Sequence, residues 1–166
     1  MSVLIEGFNV VAKRSTVSER YPGGFASFLE DCPVAAVCAD DYIVRVGFMD
    51  PRDLDAYAAA LEDNGLHMII DNKYGDFAII YGDSRLDRAC PWLEFGRLGD
   101  GKRIAWEAGS DPGRVVVPEG WSREAAMIYI PQDRIDDERL VPVRSAGDFN
   151  YYKDTEGKLC YTIRAR

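Results

Sequence analysis

The chain has 166 residues, with 20 Lys and Arg against 28 Asp and Glu and a formal net charge of −8. A chain of this size buries one substantial core, and its longest apolar stretches, Val34 to Ala39 and Phe77 to Tyr81, are strand-sized, which excludes a helical membrane span. The charge is uneven: residues 1–83 carry six basic residues against fourteen acidic ones, while residues 84–166 carry fourteen of each. That balance disfavours nucleic acid as a partner and favours a basic one.

Val3 to Val11 reads as one strand. Thr16 and Glu19 have the spacing of a capping box that opens a short helix, which Tyr21-Pro22-Gly23-Gly24 interrupts. A second helical piece carries Phe25, Phe28 and Leu29 on one side. Val34 to Ala39 and Tyr42 to Phe48 follow as strands joined by a tight turn at Asp40-Asp41. The clearest element is a helix from Pro51 to Asn64. Asp50 suits its N-cap, Pro51 the first helical position, Asp53 the positive end of the dipole and Gly65 the stop. Leu54, Tyr57, Ala58 and Leu61 form its inner face, and Asp55, Ala59, Glu62 and Asp63 its outer one.

Leu66 to Ile70 reads as a strand, 71–75 as a turn and Phe77 to Tyr81 as the antiparallel return. From residue 84 the pattern is strand and turn. Trp92 to Leu98 and Arg103 to Ala108 form a hairpin about Gly99-Asp100-Gly101-Lys102, and Val115-Val116-Val117 leads into Pro118-Glu119-Gly120. Met127 to Ile130 is a short strand, Pro131 to Arg139 a loop or one-turn helix, and 148–153 with 158–164 a terminal hairpin. The order predicts an α+β fold: a mainly antiparallel sheet, two or three helices in the N-terminal half and a strand-rich C-terminal half. One domain is expected over 1–166, with 1–83 and 84–166 as its possible lobes.

Catalytic signatures are sparse. The single histidine, His67, cannot build a His-rich metal site, and Cys32, Cys38, Cys90 and Cys160 show no CxxC pairing, so no metal or other cofactor is expected. The cysteines read as reduced core thiols of a cytoplasmic protein; a reactive thiol at Cys90, beside Pro91, is the alternative. The N-terminus has Glu6 and no basic stretch before its apolar residues, so no secretory signal is expected. Gly96 to Lys102 has the glycine and lysine spacing of a P-loop, yet Arg103 replaces the magnesium-binding hydroxyl and the next residues alternate like a strand. Asp40-Asp41 and Asp50, Asp53, Asp55 stand at opposite ends of an intervening strand, as a turn and a helix cap. Trp92, Phe95, Trp106, Trp121, Tyr129, Phe149, Tyr151, Tyr152 and Tyr161 read mainly as sheet core.

Arg45-Val46-Gly47-Phe48-Met49-Asp50-Pro51-Arg52-Asp53-Leu54, continued through Gly65-Leu66 into strands, resembles the strand-helix-strands unit of glyoxalase-like vicinal oxygen chelate proteins. It lacks that family's His and Glu ligands, so neither metal nor activity carries over. The whole chain, including Cys38-Ala39-Asp40-Asp41 and Val117-Pro118-Glu119-Gly120-Trp121, is similar to small uncharacterised bacterial proteins, immunity-protein-like in kind.

These features lead to a non-catalytic, acidic binding protein of the toxin-immunity kind that covers a basic protein partner, with no nucleic acid and no membrane involved. Asp40, Asp41, Asp55, Glu62 and Asp63 are the expected contacts, as exposed acids, with Tyr74 as an aromatic anchor. The alternative is a small-molecule-binding or enzymatic domain with its pocket between the two halves. In it Asp40 or Asp41 is the acid/base, near Cys90, Trp92, Trp121 and Tyr129.

Overall fold

A computed structural model describes residues 1–137 and 139–165. Glu138, inside the segment expected as a loop or single turn, and Arg166 lie outside the described residues. The fold is α+β, with three α-helices among the described residues, all in the N-terminal half, and mostly antiparallel strands. The chain divides into two compact units, Met1–Glu119 and Gly120–Arg166. Among the described residues no helix is long and apolar enough to cross a membrane.

The first unit is built on two sheets. Strands β1 (Ser2–Ile5) and β2 (Phe8–Lys13) belong to different sheets. The single strand expected over Val3 to Val11 is therefore broken, and the break falls at Gly7, whose φ of 64° suits a residue without a Cβ. The continuous apolar run conceals this corner because both of its arms are buried.

In the central sheet β2 pairs antiparallel with β4 (Ile43–Phe48) on one side and β7 (Phe77–Tyr81) on the other, and β3 (Val37–Ala39) flanks β4. The second sheet places β1 between β9 (Arg103–Glu107) and β10 (Val115–Val116), with β8 (Leu93–Arg97) beyond β9. Val3, Ile5, Leu93 and Ala105 from the second sheet share one buried cluster with Val11, Cys38, Ile43, Ala78 and Ile80 from the central one. Strands β9 and β10 thus return to pair with the N-terminal strand β1.

The opposite face of the central sheet carries helices α1 (Arg14–Arg20), α2 (Gly24–Asp31) and α3 (Pro51–Asp63). Asp50 caps α3 by accepting the Arg52 amide at 2.9 Å, and Leu54, Ala58 and Leu61 are buried beneath it. Gly65, at φ 95°, ends the helix where expected. Two helical expectations need correction. Thr16 lies buried inside α1, which begins at Arg14 without a side-chain cap. Leu29 is exposed, so Phe28 alone anchors α2 in the core.

The strand expected over Leu66 to Ile70 shrinks to β5 (Ile69–Ile70), which pairs with β6 (Lys73–Tyr74) rather than with β7. Asp71 and Asn72 both adopt positive φ, at 51° and 62°, and close a two-residue hairpin. The return begins at Lys73, four residues before Phe77, and β7 pairs with β2 instead.

The second unit holds the parallel pair of β11 (Ile128–Tyr129) with β14 (Leu159–Ile163), then β13 (Phe149–Lys153) and the edge strand β12 (Val141–Ala146). Every residue of β12 is exposed, so no alternating burial marks it in the sequence. Tyr129, Phe149 and Tyr161 pack their rings together, and Tyr151 is buried while Tyr152 is half-buried.

The central sheet encloses a charged group. Arg45 is only 4% exposed. Its Nε donates to Asn9 Oδ1 at 2.6 Å and its Nη2 to the Glu6 carbonyl at 2.9 Å. Asn9 Nδ2 donates in turn to the carbonyls of Gly7 (3.0 Å) and Ile80 (2.9 Å). Gly47 makes room for the guanidinium, because a Cβ there would lie 2.6 Å from Nη2 and 2.8 Å from Cζ. Gly47→Ala is expected to displace a hydrogen-bonded cation and lower unfolding free energy by about 2 kcal/mol. Gly99→Ala, which meets nothing within 4 Å, is expected to cost under about 0.5 kcal/mol. Chemical denaturation checks both, and equal costs at the two sites would disprove the role assigned to Gly47.

Candidate functional site

The six residues singled out from the sequence separate into two places. Asp55, Glu62 and Asp63 lie exposed along the outer side of α3. Together with Ala58, Ala59, Met68 and Ile79 they line a shallow groove of about 400 Å³. Helical spacing aligns the three acids, and the hairpin β5–β6 with β7 supplies the apolar floor. Past Asp55, Met68 and Ile79 the depression continues toward Tyr74, Tyr81, Asp87 and two arginines, Arg85 and Arg88, as a pocket of about 580 Å³.

The expected roles of Tyr74 and Asp40 need correction. Tyr74 is only 6% exposed and forms part of the pocket wall instead of a projecting anchor. Burial pushes its phenol above the ordinary value. Asp40 is 2% exposed, and its Oδ1 accepts the amides of Tyr42 (2.7 Å) and Ile43 (2.9 Å). A carboxylate that closes the β3–β4 turn from inside is withdrawn from contact. Only Asp41 of that pair is exposed, and the groove residues do not include it.

The electrostatics of the groove follow from where the basic residues of 1–83 go. Arg45 is inside the sheet. Arg52 pairs with Asp50 at 2.6 Å and Arg20 with Asp76 at 3.1 Å. Lys13 Nζ lies 5.4 Å from the centre of the Trp92 ring, while Arg14 donates to the Asp40 carbonyl and its Cζ lies 4.1 Å from the centre of the Phe25 ring. Lys73 is exposed. On the acidic side, Glu62 Oε1 accepts the Met68 amide at 3.3 Å, whereas Asp55 and Asp63 take no hydrogen bond or ion pair among the described residues. No cation lines the groove itself.

Other chemistry weighed from the sequence finds its place in the fold. His67 is exposed in a loop; its backbone amide donates to Asp76 Oδ2 at 2.7 Å. The glycine-rich segment at 96–102 is the end of β8 and the β8–β9 turn, and Lys102 Nζ pairs with Glu6 Oε2 at 2.9 Å. Trp121 and Tyr129 belong to the second unit and Asp40 and Cys90 to the first. Among the described residues no three His, Cys, Asp or Glu side chains are grouped so as to hold a metal ion. Compared with protein-family models, curated proteins and solved structures, the chain matches none.

The cysteines are free, and Cys38, Cys90 and Cys160 are buried. Burial pushes the Cys90 thiol from 9.0 up to about 12, against weaker opposing contributions from the backbone amides of Trp92 and Leu93. At pH 8 the thiolate is then about 10⁻⁴ of the population, too little for ready nucleophilic attack. In the folded chain Cys90 is expected to resist an aromatic disulfide reagent at pH 8, while all four thiols react in denaturant; rapid labelling of Cys90 in mapped peptides would contradict its placement. A pKa raised by folding also sets a pH window. The contribution of neutral Cys90 is complete below pH 9 and lost as pH rises through about 12, and Tyr21, raised from 10.0 to about 12, acts in the same direction. Unfolding free energy is therefore expected to fall between pH 9 and 12.

Proposed function

We propose that the chain is a non-catalytic acidic binding protein that covers a basic surface of a protein partner, in the manner of an immunity protein against a bacterial toxin. The observation that supports it most is the contrast across α3. Five of the six basic residues of 1–83 are engaged in the fold, whereas Asp55 and Asp63, beside an apolar floor of Met68 and Ile79, take no hydrogen bond or ion pair among the described residues. An apolar strip bordered by carboxylates, with Arg85 and Arg88 confined to the continuing pocket, complements a lysine or arginine side chain, whose stem is aliphatic and whose head is charged.

Asp55, Glu62 and Asp63 are the contact set of this reading, with Asp41 as a peripheral acid and the wall at Tyr74 extending the surface. A net charge of −8 repels phosphate, which sets nucleic acid and anionic lipid aside as partners. Four free cysteines agree with a cytoplasmic setting, where thiols stay reduced.

The test is capture from the native host at low ionic strength with the wild-type chain and with the triple variant Asp55→Asn, Glu62→Gln, Asp63→Asn. A basic protein retained by the wild type is expected to associate with the triple variant at least about tenfold more slowly, and the difference is expected to shrink as salt is raised. Recovery of no basic protein, or equal association rates with both chains, would overturn the proposal.

A further inference from the structure

A cleft of about 630 Å³ opens on the other flank of α3, bounded by the end of α2 and the segment leading into β3. Its volume lies within the range of small-molecule sites. Phe48, Tyr57 and Leu61 contribute apolar and aromatic surface, and Tyr21, Asp31, Asp53 and Asn64 supply its polar groups. No Lys, Arg or His lines it. Ala56 and Ala60 face the cleft with the smallest of side chains, so the helix itself leaves the space open.

The polar groups are arranged for one sign of charge. The Tyr21 hydroxyl donates to Asp31 Oδ2 at 2.7 Å, which fixes that carboxylate at the wall. Burial raises the Tyr21 phenol to about 12 and also raises the Tyr57 phenol and the Cys32 thiol, which lie 3.5 Å apart. All three stay neutral near pH 7, so the carboxylates carry the charge of the cleft and no thiolate is present to react. Aromatic faces beside carboxylates attract an ammonium group twice over, through the ring quadrupole and through direct charge.

We infer that this cleft is a binding site for a small organic cation with an aryl or branched alkyl body, its ammonium directed at Asp31 and its body lying against Tyr57, Phe48 and Leu61. Anionic and neutral analogues of the same shape lack the charge this lining selects. The site is separate from the outer groove and does not rest on the reading given to it.

The probe is 2-phenylethylammonium, titrated into the full-length ¹⁵N-labelled chain, with 3-phenylpropionate as the anion of matching shape. Saturable amide shifts are expected at residues 31, 32, 34 and 53–64 with the cation, below about 20 mM, and none with the anion. Asp31→Asn keeps an oxygen to accept the Tyr21 hydroxyl, and it is expected to weaken binding at least about tenfold. Ala60→Phe fills the space and is expected to abolish binding, with Ala56→Phe as the second filling variant should the first lower the melting temperature. Glu156→Gln, an exposed acid outside the cleft, is expected to leave affinity within about twofold. Absence of saturation with the wild type, equal shifts from the carboxylate, or an unchanged affinity in Asp31→Asn would each overturn the assignment.

Discussion

The first unit is organised around a cation buried in its sheet. Removing an isolated guanidinium from water is prohibitive unless its donors are matched, and Arg45 is matched by Asn9 and the Glu6 carbonyl. Burial still pulls its pKa below the ordinary value, which reflects the cost of keeping it there. Because Asn9 also binds the carbonyls of Gly7 and Ile80, the same network fastens the β1–β2 corner, β2, β4 and β7 together. Removing either partner would leave a buried polar group unsatisfied, the costlier kind of loss. Gly47 is the steric counterpart of this arrangement.

That constraint reaches the surface through the disposition of charge. A chain with six basic residues in its first half uses one inside the sheet, two in ion pairs with Asp50 and Asp76, and two over aromatic rings. Each use engages a cation in the fold, and together they leave Lys73 as the one basic residue of 1–83 without such a role among the described residues. The negative character of the outer groove is therefore a consequence of how the core is satisfied as well as of the residues that line it. The two flanks of α3 then differ in kind. One presents acids beside an aliphatic floor, and the other a larger, aromatic-lined cleft with Asp31 held by a phenol.

Much of the fold was legible in the sequence where local chemistry and burial agree. The α3 boundaries follow from Asp50, Pro51 and Gly65, and the β3–β4, β8–β9 and β13–β14 hairpins from turn residues between apolar runs. The corner at Gly7 was concealed because strands on both sides are buried, so no polar alternation marks the change of sheet. Strand β12 was concealed for the opposite reason, since all its residues are exposed. The β5–β6 hairpin required reading Asp71-Asn72 as a pair of left-handed residues, a conformation these two types tolerate better than most. For the site, helical spacing was enough to bring Asp55, Glu62 and Asp63 together. It could not show that Asp40 turns inward to cap its own turn or that Tyr74 is packed into a wall, because both depend on tertiary contacts. The Asp31 cleft had no sequence signal, since Tyr21, Asp31 and Tyr57 converge only after α2 and α3 pack on the sheet.

The surface potential along α3 can be read directly from the paramagnetic relaxation of backbone amides by small nitroxide cosolutes of opposite charge. At low salt the amides of residues 55–63 on the outer side are expected to relax faster with a cationic nitroxide than with an anionic one, and the difference is expected to diminish as salt approaches about 0.5 M. Equal relaxation by the two probes, or faster relaxation by the anionic one, would contradict a net negative groove along the outer side of α3.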